Sequence, residues 1–461
     1  MTRTGETGQG KFYKFFGSLF VSIAVTALLL AACDGGGSGD ENPPIRAGGD
    51  TSVENRTSFA FEEPAANLSE EAAIKHLAGD RAFGDVFVTP PAVVNPGLGP
   101  LFNNVSCESC HIKNGRGLPE FGNTGLRSLA LVRISDPDGA PTVPGGNPPV
   151  EGLGNQIQDH ATFGFEPEAD VTLEWEEVSG TYPDGTPYSL RRPLLTIILP
   201  DGEPLGSKYF TSVRVPPPVI GLGLLEAIPE EEILAAADPD DEDGDGISGR
   251  PNMVWNNITS TTEIGRFGRK ASVPNLRQQA AVAYFEDMGV SNPDIQGEDA
   301  LPEIDEETLD LTTFYTQTLA VPLRAETDDP DVPEGEGLFF DLGCSQCHLS
   351  VLETGDHELP EVRNQVIQPF TDLLLHDMGE GLADNRPDFQ ATGREWKTPP
   401  LWGIGLTVTV LGLQNYLHDG RARTLEEAIL WHDGEAGSAK DGFMNLPGEE
   451  RDKLIKFLSS L

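Results

Sequence analysis

Two five-residue segments carry the residues best suited to do chemistry, Cys107-Glu108-Ser109-Cys110-His111 and Cys344-Ser345-Gln346-Cys347-His348. In each, a Leu-Phe pair (Leu101-Phe102, Leu338-Phe339) stands six and five residues ahead of the first cysteine, as if one unit were used twice. Cys-x-x-Cys-His is the spacing of covalent haem attachment. Each thiol adds across one porphyrin vinyl group, and the residue after the second cysteine is then held under the iron, where it must be a nitrogen ligand. This makes Cys107, Cys110, Cys344 and Cys347 the expected anchors of two covalently bound haem c groups, with His111 and His348 as proximal iron ligands. A zinc ribbon brings its cysteine pairs within about 15 to 20 residues of each other, whereas more than two hundred residues separate these pairs. Two disulfides would suit an oxidising compartment but leave both histidines unexplained.

The second axial positions decide the function. An iron with both positions filled mostly moves electrons, and one with an open position can bind peroxide or oxygen. For the second haem, Met378 is the candidate distal ligand, with His376 and His418 as alternatives; core filling is the ordinary role of such a methionine. The first haem has no soft ligand nearby in sequence, which fits an open, peroxide-binding iron. Splitting an O–O bond needs a proton acceptor and donor above the metal, and Gln156 and His160 are the candidates. Arg394 and Lys397 could pair with haem propionates, and Trp255, Trp396 and Trp402 could sit between the haems, although packing is the usual role of a buried indole.

A third cluster is acidic. Asp241, Asp243 and Asp245 alternate and are followed by Gly246, the opening of a calcium loop. The twelfth position of that loop is Asn252 where an EF-hand carries glutamate, and Pro251 spoils an exit helix. Calcium is therefore a candidate second cofactor, and a solvated acidic turn is the alternative.

The elements that must position these groups begin with an amino-terminal leader. Lys11 and Lys14 precede an apolar run from Phe15 to Leu30, which closes on Leu30-Ala31-Ala32-Cys33. The run is short for a membrane span, which needs about 20 residues. Residues 1–33 instead resemble a bacterial lipoprotein signal with its lipobox, leaving Cys33 as a lipid anchor. That places the protein in the cell envelope facing the periplasm, with inner or outer membrane undecided. The compartment agrees with haem attachment outside the cytoplasm. Aspartate and glutamate number 74 against 31 lysines and arginines, a formal charge of −43. Such a surface repels nucleic acid and anionic headgroups, so membrane contact would come from the acyl chains, and a basic redox partner could be steered to it.

Residues 34–60, rich in Gly, Ser, Asn and Pro, suggest a flexible tether. Residues 61–330 form the expected amino-terminal haem domain. It contains a helix from Ser69 to Leu77, the calcium-like loop at 241–252, and a β-rich insertion over about 125–215. In that insertion Val171, Leu173 and Trp175 alternate with polar residues before the turn Pro183-Asp184-Gly185. Residues 331–461 form the second haem domain, where Thr424 and Glu427 make a capping box. The expected fold is mainly α: two cytochrome c-like haem domains, the first with the β-rich insertion.

Further blocks extend the pattern: PPPVIGLGLLEAIP (216–229), DGDGISGRPN (243–252), GRFGRKA (265–271), DLLLHDMG (372–379), REWKTPPLWGIG (394–405) and YLHDGRARTLEEAI (416–429). With both CxxCH motifs, they resemble the bacterial di-haem oxidoreductase family of peroxidase or thiol-oxidoreductase-like proteins, distantly related to di-haem cytochrome c peroxidases. The resemblance covers roughly residues 60 to 461. It implies an enzyme passing electrons from the second haem to a peroxide-reactive first haem, with a small redox donor protein or quinol-linked cytochrome as partner. Glu395 or its neighbours stand about where such peroxidases can carry an axial ligand, so that ligand does not transfer by position. No cysteine is left free for thiol chemistry. The alternatives are a pure electron-transfer cytochrome serving a periplasmic enzyme or metal-uptake system, and a haem oxygenase-like or protein-modifying di-haem enzyme.

Overall fold

The computed structural model describes residues 45–122, 127–295 and 301–461, all within one compact unit. The expected signal segment 1–33 with its anchor Cys33, and residues 34–44 of the expected tether, lie outside the described residues. Residues 45–60 of that tether are packed. Ala47 and Thr51 are buried, Val53 bridges to Pro322, and the Gln368 amide donates to the Ala47 carbonyl at 2.7 Å. The small polar residues close local turns: Thr51 Oγ1 donates to the Gly48 carbonyl at 2.8 Å, and Ser52 Oγ accepts the Gly48 amide at 2.9 Å. Short hydroxyl side chains satisfy the backbone this way in place of water.

Helix makes up 30% of the structure and strand 18%, which overturns the mainly α expectation. The described residues lie in one compact unit. The cause is punctuation: 52 glycines and 37 prolines interrupt the chain before most helices lengthen. From the second CxxCH motif to Lys397 it runs as loops and single 3-10 turns joined by short antiparallel ladders, Leu352–Glu353 with Val366–Ile367 and Leu375–Asp377 with Glu395–Lys397.

The longer helices do frame the two motifs in parallel ways. Glu70–Gly84, capped by Ser69, precedes the first motif and crosses Glu306–Thr318. Asp331–Asp341 precedes the second and crosses Gly448–Ser460. Both crossings depend on a glycine. A Cβ at Gly79 would lie 2.4 Å from the Leu311 carbonyl oxygen, and one at Gly335 would lie 2.1 Å from that of Lys453, so only glycine permits the approach. The second crossing buries Val332, Phe339, Leu454 and Phe457 in one apolar cluster.

The β-rich region comprises two parts. A three-stranded sheet places Leu131–Ser135 between Gln156–Ile157 and Phe210–Arg214. A long hairpin pairs Asp170–Thr181 with Pro187–Ile198, from Asp170 opposite Ile198 to Thr181 opposite Pro187. Its tip packs on the carboxy-terminal part of the chain. Tyr182 and Leu190 join the apolar cluster of Phe339 and Phe457, the Tyr182 hydroxyl donates to Glu426 at 2.6 Å, and Arg451 pairs with Asp184 at 2.9 Å. The hairpin thus ties the β-rich region to the surroundings of the second motif.

Candidate functional site: two cysteine-histidine motifs on one cavity

Each motif is a tight turn closed by its own backbone. Cys107–Cys110 is one helical turn whose cap Ser106 accepts the Ser109 amide, and the His111 amide donates to the Cys107 carbonyl at 2.9 Å. Cys344–Gln346 is a 3-10 turn entered through Gly343 at φ 80°, with the His348 amide on the Cys344 carbonyl at 3.0 Å.

The two histidines are prepared alike. His111 Nδ1 lies 2.8 Å from the Pro217 carbonyl oxygen, and His348 Nδ1 lies 2.8 Å from that of Phe370. A carbonyl oxygen can only accept, so Nδ1 carries the hydrogen in both rings and Nε2 keeps its lone pair. Burial pulls both pKa values down to about 4, which holds the rings neutral. A neutral imidazole anchored through one nitrogen is the form that ligates a metal with the other. Phe83 and Phe339 stand beside them, at ring-centroid distances of 6.1 and 6.2 Å respectively. The Leu-Phe repeat is therefore not a structural one, because Phe102 stacks on His160 at 5.7 Å.

Both motifs line a single cavity of about 1020 Å³. None of the four described cysteines forms a disulfide. Burial pushes Cys107 and Cys344 up to about 12 and raises Cys110 as well. With no group bound, these side chains are thiols.

The cavity wall carries charges of both signs, with Arg133, Arg214 and Arg386 alongside Glu286, Asp287 and Asp388. Arg116, Arg269 and Lys397 reach it, and among the described residues none of the three has a carboxylate at ion-pair distance. Arg269 donates to the Val215 carbonyl and Arg116 to that of Leu417, both at 2.5 Å. Burial and then the neighbouring Arg116 and Arg214 pull Arg269 well below the usual arginine range. Burial and then Arg269 pull Lys397 down to about 8. Cations gathered away from water are stable only with matching anions, and haem propionates are carboxylates of that kind. Neutral anchored histidines beside thiol pairs, on a cavity with spare cations, fit two haem groups.

A model of the family described as "Di-haem oxidoreductase, putative peroxidase" matches residues 44–131, 150–301 and 295–461. The chain belongs to the di-haem oxidoreductase family. Haem is accordingly its cofactor and oxidation–reduction its chemistry. No curated protein matches it. Among solved structures, Kuenenia stuttgartiensis hydrazine synthase is similar with a TM-score of 0.38 and 14% identity, covering 92% of this chain and 100% of that one.

The remaining sequence candidates of this di-haem oxidoreductase fall in different places. Met378, His376 and His418 all line the cavity, as do Trp255, Trp396 and Trp402. His376 is gripped at both nitrogens, Nε2 by Asp372 and Nδ1 by Glu435, each at 2.8 Å. Burial opposes its charge, yet these carboxylates raise its pKa far above the ordinary histidine value, leaving an imidazolium with no lone pair to offer. His418 is neutral, since burial lowers it, and stacks on Trp396. Gln156 and His160 do not line the cavity. The Gln156 amide nitrogen donates to Asn103, Glu286 and Asp287, and His160 Nδ1 lies 3.0 Å from Asp159. Arg394 pairs with Asp377 and Glu380, and Glu395 takes Arg250 through both oxygens.

In the acidic loop, carboxylates of Asp238, Asp241 and Asp243 come within 4.8 Å of one another. Asp245 instead accepts from Gln346 at 2.7 Å, inside the second CxxCH motif.

Two cavity residues escape the sequence reading. Asp287 is raised to about 6 by burial, against the opposing pull of Arg133. Its signal was available: Glu286 and Asp287 end the Leu276–Met288 helix, the negative end of the helix dipole, where carboxylates are unfavourable without a further purpose. His432 is the other.

Proposed function

We propose that this is an exported di-haem c-type oxidoreductase of peroxidase type, taking electrons near His348 and using them on peroxide near His111. The observation that carries this reading is the shared cavity, which puts both Nδ1-anchored histidines and both thiol pairs on one continuous wall. Covalent attachment through Cys107, Cys110, Cys344 and Cys347 follows from the Cys-x-x-Cys-His spacing. Bound haem supplies reversible one-electron chemistry and an iron to which peroxide can bind. Reduction of peroxide to water also consumes two protons, and the chain must deliver them.

Asp287 is suited to that task. It lines the cavity, lies close enough to raise the pKa of both Cys107 and Cys110, and itself titrates at about 6. A carboxyl with a pKa near the working pH can both hold and release a proton. Gln156 fixes its Oδ1 by donating at 2.8 Å, leaving Oδ2 as the atom that carries the proton. Gln156 thus acts as a positioning residue for Asp287. Arg116, Arg269 and Lys397 supply cations for the propionates.

The leader at 1–33 with Cys33 as lipid anchor puts the enzyme at the periplasmic face of a membrane, and a basic donor protein suits its acidic surface. The deciding experiment is an electron paramagnetic and optical spectrum of the oxidised and half-reduced protein, with and without peroxide. One high-spin iron that reacts with peroxide and is lost in His111→Gly is expected. Two low-spin irons inert to peroxide in both redox states would replace the enzyme with an electron carrier.

A further inference from the structure

Five histidines line the cavity: His111, His348, His376, His418 and His432. His432 resembles the two motif histidines more than the other two. Its Nδ1 lies 2.7 Å from the Ala428 carbonyl oxygen, as theirs lie 2.8 Å from Pro217 and Phe370. The hydrogen is therefore on Nδ1 and the lone pair on Nε2. That Nε2 has no partner among the described residues. His376 has both nitrogens occupied, and the His418 ring lies flat against Trp396.

Local structure holds His432 in place. Thr424 caps the Leu425–Leu430 helix, the Trp431 and His432 amides close its end on Glu427 and Ile429, and Leu425 and Leu430 are buried in the cluster that contains Phe339. The helix thus delivers the ring to the cavity from the side of the second motif. His432 and His348 line the same cavity. With its hydrogen held on Nδ1 by the Ala428 carbonyl, the Nε2 lone pair stays available.

We propose that His432 Nε2 is the second axial ligand of the haem held by Cys344, Cys347 and His348, giving that iron two imidazoles in place of an imidazole and the Met378 thioether. This rests on the two-haem reading above, but concerns one iron's ligands and not its substrate. An unpartnered, neutral, pre-oriented imidazole loses little conformational freedom on ligation, whereas the Met378 side chain is flexible.

The test is near-infrared magnetic circular dichroism and electron paramagnetic resonance on the intact di-haem protein and its His432→Gly and Met378→Leu variants. The expected result is a bis-imidazole low-spin signal in the wild type and in Met378→Leu. In His432→Gly that signal is lost, and added imidazole restores it. A wild-type low-spin signal that survives His432→Gly, or a thioether band that disappears in Met378→Leu, would overturn the assignment. Peroxide turnover is scored separately, so failure of the peroxidase reading leaves this result intact, and the reverse holds too.

Discussion

The Trp396 indole lies flat on the His418 imidazole, with ring centroids 3.7 Å apart and planes 12° from parallel. Trp396 stands opposite His376 in its ladder, and His376 Nδ1 is 3.6 Å from Cys347 Sγ. On the other side, the His418 carbonyl accepts the Val215 amide at 2.7 Å, two residues before the Pro217 carbonyl that anchors His111. The stack therefore joins the surroundings of the two motifs and fixes the loop behind His111.

Trp396→Ala should cost about 3–5 kcal/mol of stability, the usual loss for a buried tryptophan, as read by denaturant unfolding. His418→Ala, which removes the ring contact but leaves the indole, should cost about 0.5–1.5 kcal/mol and broaden the resonance of the first haem while sparing the second. Broadening of the second haem alone would show that the stack does not hold the first proximal loop.

Covalent attachment is tested by mass. Replacing Cys107 and Cys110 together by alanine should leave a chain carrying a single haem by intact mass spectrometry, and so should the Cys344 and Cys347 double variant. Retention of both haems in either variant would remove the thioether assignment for that motif.

Asp287→Asn should lower peroxide turnover by roughly 10²- to 10⁴-fold, the scale of general acid–base catalysis. In the unmodified enzyme, the activity limb that follows Asp287 should lie near pH 6, where burial places its pKa, and the variant should lack that limb. A rate-against-pH profile with the same limb in both proteins would assign it to another group.

What sequence makes legible here is the chemistry that demands fixed spacing. Cys-x-x-Cys-His is such a case, and so is the helix cap at Thr424, whose side chain accepts the Glu427 amide. The carbonyls of Pro217 and Phe370 carry no signal, because every residue has a carbonyl and only the fold selects one. Composition misleads where polar residues turn inward: the Ser- and Gly-rich start of the described chain is packed through its own hydroxyls, and Gln156 spends its amide on Asn103, Glu286 and Asp287. The helical expectation fails because each motif needs only a turn. Much of the chain around each motif consists of loops that alternating or helical periodicity does not describe.

The acidic loop gives a metal-removal prediction. If the Asp238, Asp241 and Asp243 carboxylates hold calcium, chelation should lower the melting temperature, and Asp243→Asn should abolish that sensitivity. Because Asp245 bonds Gln346, chelation should also perturb the optical spectrum of the second haem. Identical melting with and without chelator would leave a solvated acidic turn.

The last prediction concerns acid stability. Arg214 pairs with Asp384 and Asp388, Lys270 with Asp384, and Arg386 with Asp388, in a buried network under Trp396. Burial works against the Asp388 charge, but Arg386, Arg214 and Lys270 hold its carboxyl below the ordinary aspartate range. A carboxylate with a depressed folded-state pKa stabilises the fold above its unfolded value of about 4, and that contribution is lost as pH falls through the folded value. The wild type should therefore lose stability progressively below about pH 4. Asp388→Asn should be destabilised at neutral pH by about 3–5 kcal/mol, because Arg386 and Arg214 lose their shared counter-charge inside the protein. It should also show a shallower decline in acid, because one titrating group is gone. Chemical denaturation from pH 3 to pH 7 measures both effects, and parallel curves for the two proteins would mean that Asp388 does not govern the acid response.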